Sequence, residues 1–588
     1  MGFTRQGISA ALVVVLLALL HFHSLANLRR PLLDFDDTEF IAPLDGMSLS
    51  AYVDDWAAQP DRYVFPLRDL TFALDFKLSH LLGFQTFWVV DFVIFLATFL
   101  AIWRIFGIYY RGRPLLVAAC VGLVALHPLN VHMVEWLSNR KHLLVLLILA
   151  WATCKALKQD ADKTTPTVRD WIVYFVAYVA AWLCFPTGML WIFWLLFLFY
   201  PRLRSTKGRA SVLAGGALAI AGLGYYLTVA ANASYQSKAG VETSPLRFAV
   251  DSTGRAVFNL LVPFQLQPYY RLGDVRAWIG LGILLVLVGV AVHRLRKVSA
   301  ERRRLFLHIL LLAVAFYVPN AKVFLGYSEY VWSDRYLYGS LPFLVLGALV
   351  LLVEPGSEAR RGRTKARWLG AAATVIVALV YLVLGWLLVP RWQNGRVLFE
   401  TCAREEMARK CVAMAVEKNF DKGGCVLLPE LLGLAHELAP AAENTVDHSF
   451  QSEIPVYDAL CIASEIRPVE EKLREIDGLR SVYNMTDFLM LGQILVRLQS
   501  RDLQNALATA YATYFDPALP MPNASTKIIN MMRGQGEALC VISELVGHDK
   551  SCWNALEVFK ARVSDTVLKP KQTEWTFNRT LTAFNTGQ

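Results

Sequence analysis

Charged residues are scarce in this chain, 18% of 588, while apolar residues make up 55%. That balance excludes an ordinary soluble enzyme of this length. Zinc spacing is missing too: no CxxC and no Cys/His cluster is present, so neither a metal site nor a metal cofactor is expected. The first apolar segment has only Arg5 ahead of it and no small-residue cleavage site behind it. It therefore reads as a retained span and not as a removed leader. Also missing is a clean 34-residue period in the C-terminal part, which weakens any repeat reading there.

What is present is unevenly spread. Long apolar runs fill the chain to about Pro390, and an amphipathic mixture follows. The expected fold is all-α: a polytopic membrane domain over 1–392, with a first exported loop at 28–83, and an exported helical domain over 393–588. Eleven spans are expected, at 8–26, 84–106, 114–130, 142–158, 170–184, 187–200, 210–231, 276–293, 305–324, 336–353 and 368–389. Every second connection is basic, from Arg104, Arg111 and Arg113 through Arg294–Arg304 to Arg360–Arg367. The positive-inside rule then puts the N-terminus in the cytoplasm and the C-terminal domain outside it. The net charge of +10 is thereby mostly topology, and nucleic acid is not an expected partner. Three cysteines lie in or at the ends of spans, and the other six (Cys402, Cys411, Cys425, Cys461, Cys540 and Cys552) fall on the exported side, where disulfides are permitted. The sequons at Asn232, Asn484, Asn523 and Asn578 fall there as well.

The informative charges are those that topology does not explain. Arg29–Arg30, Arg140–Lys141 and Arg335 all stand in connections that should be poor in cations. Ionisable groups at membrane depth cost about 2.5–3.5 kcal/mol on insertion scales, so they face a cavity or a partner. One reading is local pairing, Glu135 with Arg140 or Lys141 and Asp334 with Arg335. The other is that these cations gather outside the cytoplasm and bind an anion such as a lipid phosphate. The acidic run Asp34, Asp36 and Asp37, just after the first span, has two readings as well. It is the cap of a short helix starting near Thr38, or it holds a catalytic base. Residues 44–80, mixed polar and aromatic, read as interfacial helices lying along the membrane.

Five segments in order then resemble one family. HPLNVHMVEWLSNRKHLL is similar to the HP…VE.W.S.RK.LL signature of the transmembrane-and-tetratricopeptide-repeat (TMTC-type) glycosyltransferases and their bacterial relatives. FDDTEFI, FPLRDLTFALDFKL, LLVPFQLQPYY and SDRYLYGSLPFL resemble that family's remaining membrane-domain motifs. The resemblance implies the C-type (GT-C) glycosyltransferase fold and transfer of a sugar, with inversion, from a polyprenyl-phosphate carrier to a hydroxyl of an exported protein acceptor. It implies Asp36 or Asp37 as general base, and Arg140, Lys141 and Arg335 as cations for the donor phosphate. His127, Glu135 and Asp334 would orient them, with no cofactor beyond the lipid-linked sugar itself. The chain departs from the family at Phe65, where Arg is usual, at Trp88, Asp91 and Phe95, where a His…Asn…His pattern is usual, and at Cys184–Phe185, where a Ser-Lys pair is usual. Two cations are thereby lost, which leaves a changed sugar or a degenerate enzyme open.

The exported domain shows apolar residues at helical spacing, as in TDFLMLGQILVRLQ, and is expected to be all-α. It is a divergent tetratricopeptide-like array or an unrelated bundle. Three functions compete: the glycosyltransferase, a scaffold of the same fold that presents its helical domain to a partner, and a transporter. A transporter needs broken spans or a polar pore stripe, whereas the ionisable residues here cluster outside the span centres. The expected location is a bacterial inner membrane, or the endoplasmic reticulum in a eukaryote.

Overall fold

The computed structural model describes residues 5–21, 25–26, 28, 37, 41–48, 50–52, 54, 65–200, 245–264, 266–271, 273–321, 330–331, 334–355, 364–406, 411–412 and 414–415. The expectations for Arg29–Arg30, Asp34, Asp36, the span at 210–231 and the helices beyond 415 lie outside the described residues. The chain divides into two compact units, Met1–Ser234 with Thr243–Ala408, and Tyr235–Glu242 with Arg409–Gln588. The first unit holds every helix and strand named below.

That unit is predominantly helical. In chain order it contains α1 (Arg5–Leu20), α2 (Pro66–Leu82), α3 (Phe87–Tyr110), α4 (Pro114–Leu126), α5 (Val131–Glu135), α6 (Arg140–Ala161), α7 (Val168–Cys184) and α8 (Trp191–Phe199). It continues with α9 (Pro245–Leu261), α10 (Val275–Lys297), α11 (Ala300–Tyr317), α12 (Leu341–Leu352), α13 (Thr364–Leu388) and α14 (Gly395–Glu406). The strands described are β1 (Tyr270–Arg271) and β2 (Tyr330–Val331), paired antiparallel with Tyr270 opposite Val331.

Four described helices are long and apolar enough to cross a bilayer: Phe87–Tyr110, Leu137–Ala161, Val275–Lys297 and Thr374–Gln393. A fifth appears if Pro114–Leu126 and Pro128–Glu135, bent by 53° to each other, form one span. A described helix stands at ten of the eleven expected segments, and 210–231 lies outside the described residues. Among these helices α12 has 12 residues and α7 has 17, against about 20 needed to span, and α11 carries Glu301, Arg302, Arg303 and Arg304 near its start. Prolines shorten several of them. α4 stops at His127, whose extended backbone precedes Pro128, and the residue before a proline is pushed out of the helical region. α7 ends one residue before the turn Pro186–Gly188. α10 and α13 leave most of their apolar surface uncovered, as helices facing lipid do.

α9 and α10 meet through glycines. A Cβ added at Gly280 would collide with the Gly254 carbonyl, and one added at Gly254 with the Ala277 carbonyl. Small residues let the two backbones touch, as at membrane helix crossings. Gly280→Val is therefore expected to destabilise the unit by about 3 kcal/mol or more. A matching loss of monodisperse protein, read by size-exclusion chromatography in detergent, would check it; an unchanged yield would show that the crossing can open. The same helices are tied by charge. Arg255 pairs with Asp274 and, at 2.7 Å, with Glu406 of α14, while Arg276 reaches Glu406 at 2.8 Å. Burial raises the Glu406 carboxyl above its ordinary pKa, against the pull of both arginines.

Candidate functional site

The site is built around the turn Leu137–Asn139, between α5 and α6. Trp136 leaves the helical region with ψ near 100°, so α5 stops after one turn and the chain re-enters a helix at Arg140. Buried backbone groups at such a break need partners. One partner comes from far away in sequence: the Ser138 N–H donates to Asp37 Oδ1 at 2.8 Å, and Asp37 is fully buried. Asp37 and the turn before the Arg140–Lys141 pair are therefore close in space, although Asp37 and Ser138 are 101 residues apart in sequence.

Arg140 is wholly buried. Its guanidinium pairs with Asp75 of α2 at 2.5 Å and with Asp91 of α3, and it donates to the Phe87 carbonyl at 3.0 Å. The Phe72 ring lies 4.0 Å beneath it. A planar fork with donors in several directions suits this three-way grip, which a lysine ammonium would not reproduce. Burial raises the Asp75 carboxyl above its ordinary value, with Arg140 pulling it back down.

Lys141 and Arg335 occupy a different setting. Both are only partly buried and both lie over rings. The Lys141 ammonium is 5.4 Å from the Phe65 ring centre and 5.1 Å from that of Phe185, and these two rings are 5.0 Å apart. The Arg335 guanidinium is 4.4 Å from the Trp136 ring and 5.0 Å from that of Tyr336. His142 joins the two groups, 4.7 Å from Phe185 and 5.7 Å from Tyr336. Arg68, 4.8 Å from the Phe65 ring, pairs with Asp69 at 2.5 Å. Cations held on ring faces keep their charge while losing mobility.

The remaining expected residues divide. Glu135 reaches beyond its own loop: its carboxylate bonds to His21 Nδ1 at 2.8 Å, with both side chains buried and with Phe92 and Phe95 packed on the imidazole. His127 braces the bend. Its Nε2 donates to the Leu260 carbonyl at 2.9 Å, and its Nδ1 accepts from the Leu129 N–H at 3.2 Å. Asp334 opens the turn Asp334–Leu337, which carries Arg335. The residues that sequence reasoning missed are Asp75, His21 and the pairing role of Asp91. A lone carboxylate inside FWVVDFVIF was signal enough for Asp91, because a buried intramembrane charge requires a partner. The two departures at Phe65 and Phe185, 120 residues apart, turn out to be neighbours under one ammonium.

Arg104 over Trp151 at 4.6 Å and the Tyr110 hydroxyl on the Val353 carbonyl at 3.1 Å hold the far end of α3, away from this site. No protein-family model, no curated protein and no solved structure matches this chain.

Proposed function

We propose that this chain is an integral membrane glycosyltransferase of the TMTC-like C-type fold, which moves a sugar from a polyprenyl-phosphate carrier to a hydroxyl of an exported protein. The observation that carries the reading is the hydrogen bond from the Ser138 N–H to Asp37. It ties a carboxylate to the residue two before Arg140 and three before Lys141, which supports reading an acid and the proposed phosphate-binding cations as parts of one site. In the proposed reaction the acceptor oxygen attacks the anomeric carbon and its proton passes to Asp36 or Asp37. The bond from the anomeric carbon to the phosphate oxygen breaks, and its electron pair leaves with the polyprenyl phosphate. Lys141 and Arg335 stabilise the charge growing on that phosphate. Arg140, already gripped by Asp75 and Asp91, positions Lys141 and the turn and leaves the phosphate to its neighbours. Eleven spans, an N-terminus in the cytoplasm and an exported tetratricopeptide-like domain complete the proposed architecture. The oxidised state of Cys402 and the free thiols of Cys120, Cys154 and Cys184 support that orientation.

A second reading, a catalytically degenerate scaffold, is favoured by one observation: Phe65 and Phe185 pack on each other where the family has two cations. Transfer of a labelled sugar from polyprenyl phosphate to exported protein separates the two. The wild-type chain is expected to transfer and Asp36→Asn with Asp37→Asn is not; no transfer by the wild type selects the scaffold.

A further inference from the structure

Buried polar atoms without partners gather around the turn between α5 and α6. His132 Nε2, Ser138 Oγ, Asn139 Oδ1 and His142 Nε2 are all buried, and none has a hydrogen-bond partner among the described residues. Buried polar side-chain atoms are nearly always paired, so an orphan beside charged groups is a place for a polar ligand. His142 differs from the other three in its neighbours. Its ring lies 4.7 Å from that of Phe185, which carries the Lys141 ammonium. It lies 5.7 Å from the ring of Tyr336, which carries the Arg335 guanidinium. The imidazole is only 5% exposed and bridges the two cation-bearing ring groups.

We infer that His142 is a third binding group for the donor phosphate, its Nε2–H donating to a phosphate oxygen beside Lys141 and Arg335. The inference rests on the reading of those two cations as phosphate-binding. The groups assembled there select the kind of ligand. Among the described residues, Lys141, Arg335 and His132 act electrostatically on His142, and no carboxylate does. Ammonium and guanidinium groups donate hydrogen bonds and accept none. A site of donors suits an ionised phosphate, whose oxygens only accept, better than a sugar hydroxyl, which needs an acceptor for its own proton. An imidazole can supply a further hydrogen bond there without adding a third full charge to two crowded ones. Its orientation is also set in advance. Phe185 and Tyr336 both meet the ring edge to face, at 67° and 76°, so little side-chain freedom is left to lose on binding.

Full-length protein in detergent micelles, labelled with nitrogen-15 in its histidine rings, tests this by NMR. The probes are farnesyl phosphate, inorganic phosphate and farnesol, and the His142 Nε2 signal is identified by its loss in His142→Gln. That signal is expected to shift with farnesyl phosphate and to stay in place with farnesol. An added shift with inorganic phosphate would make the free anion a ligand too; without one, the lipid-borne phosphate alone is recognised, and either result supports the inference. Calorimetric titration gives a second readout. His142→Phe is expected to weaken farnesyl phosphate binding by about 10-fold or more, whereas His142→Gln, which keeps an N–H donor, stays within about threefold of wild type. Binding of farnesyl phosphate with an unmoved His142 signal, or a shift with farnesol, overturns the inference alone. No binding by the wild type overturns it together with the phosphate reading of Lys141 and Arg335. Where His142→Phe fails to fold, the wild-type signal decides.

Discussion

Replacing Arg140 with methionine is expected to cost about 3–5 kcal/mol of stability, because it strands two buried carboxylates. Asp75 and Asp91 come from different helices, α2 and α3, and both turn to the one guanidinium at the start of α6. Removing it leaves two like charges without their shared cation, in a place where water does not reach. Arg140→Lys is expected to fall between wild type and Arg140→Met. One ammonium can serve Asp75 or Asp91 at full strength, but not both together with the Phe87 carbonyl. The triple variant Arg140→Met, Asp75→Asn, Asp91→Asn is expected to recover most of the loss, since no charge then stays buried. Unfolding by SDS titration in mixed micelles measures all three. If Arg140→Met unfolds at the wild-type SDS fraction, the network is not the buried tie that its geometry describes.

Local features of this fold were legible in the sequence, and non-local ones were not. The bend after α4 is written in His127–Pro128, and the capping box of Thr167 and Asp170 marks the start of α7. Span lengths were harder. Hydropathy joins residues 336–353 into one apolar block, but the turn Asp334–Leu337 and Pro342 leave a helix of only 12 residues. The site itself rests on pairs that no spacing announces: Asp37 with Ser138, His21 with Glu135, and Phe65 with Phe185. Each brings together segments about 100 or more residues apart. Sequence proximity sets Glu135 beside Arg140 and Lys141, but its bond to His21, just after α1, where a buried imidazole also needs a partner, has no local signal.

Asp37→Asn is expected to leave the fold intact and to lower sugar transfer by about 10²–10⁴-fold if Asp37 is the base. The structure makes the two effects separable. Asparagine keeps an Oδ1 that can accept the Ser138 N–H, so the turn before Arg140 stays tied while the negative charge and its proton affinity are lost. Asp37→Ala, by contrast, leaves that buried N–H unsatisfied and is expected to cost a further 1–3 kcal/mol or so of stability. Asp36→Asn decides the assignment between the two carboxylates. If it abolishes transfer while Asp37→Asn does not, Asp37 is the anchor of the turn and Asp36 takes the proton. Lys141→Gln with Arg335→Gln is expected to act on the other half of the reaction. Charge on the leaving phosphate grows toward the transition state, so kcat should fall by about 10²–10³-fold, more steeply than KM rises. A pure KM effect would make these two cations anchors for the bound lipid, with no share in its departure.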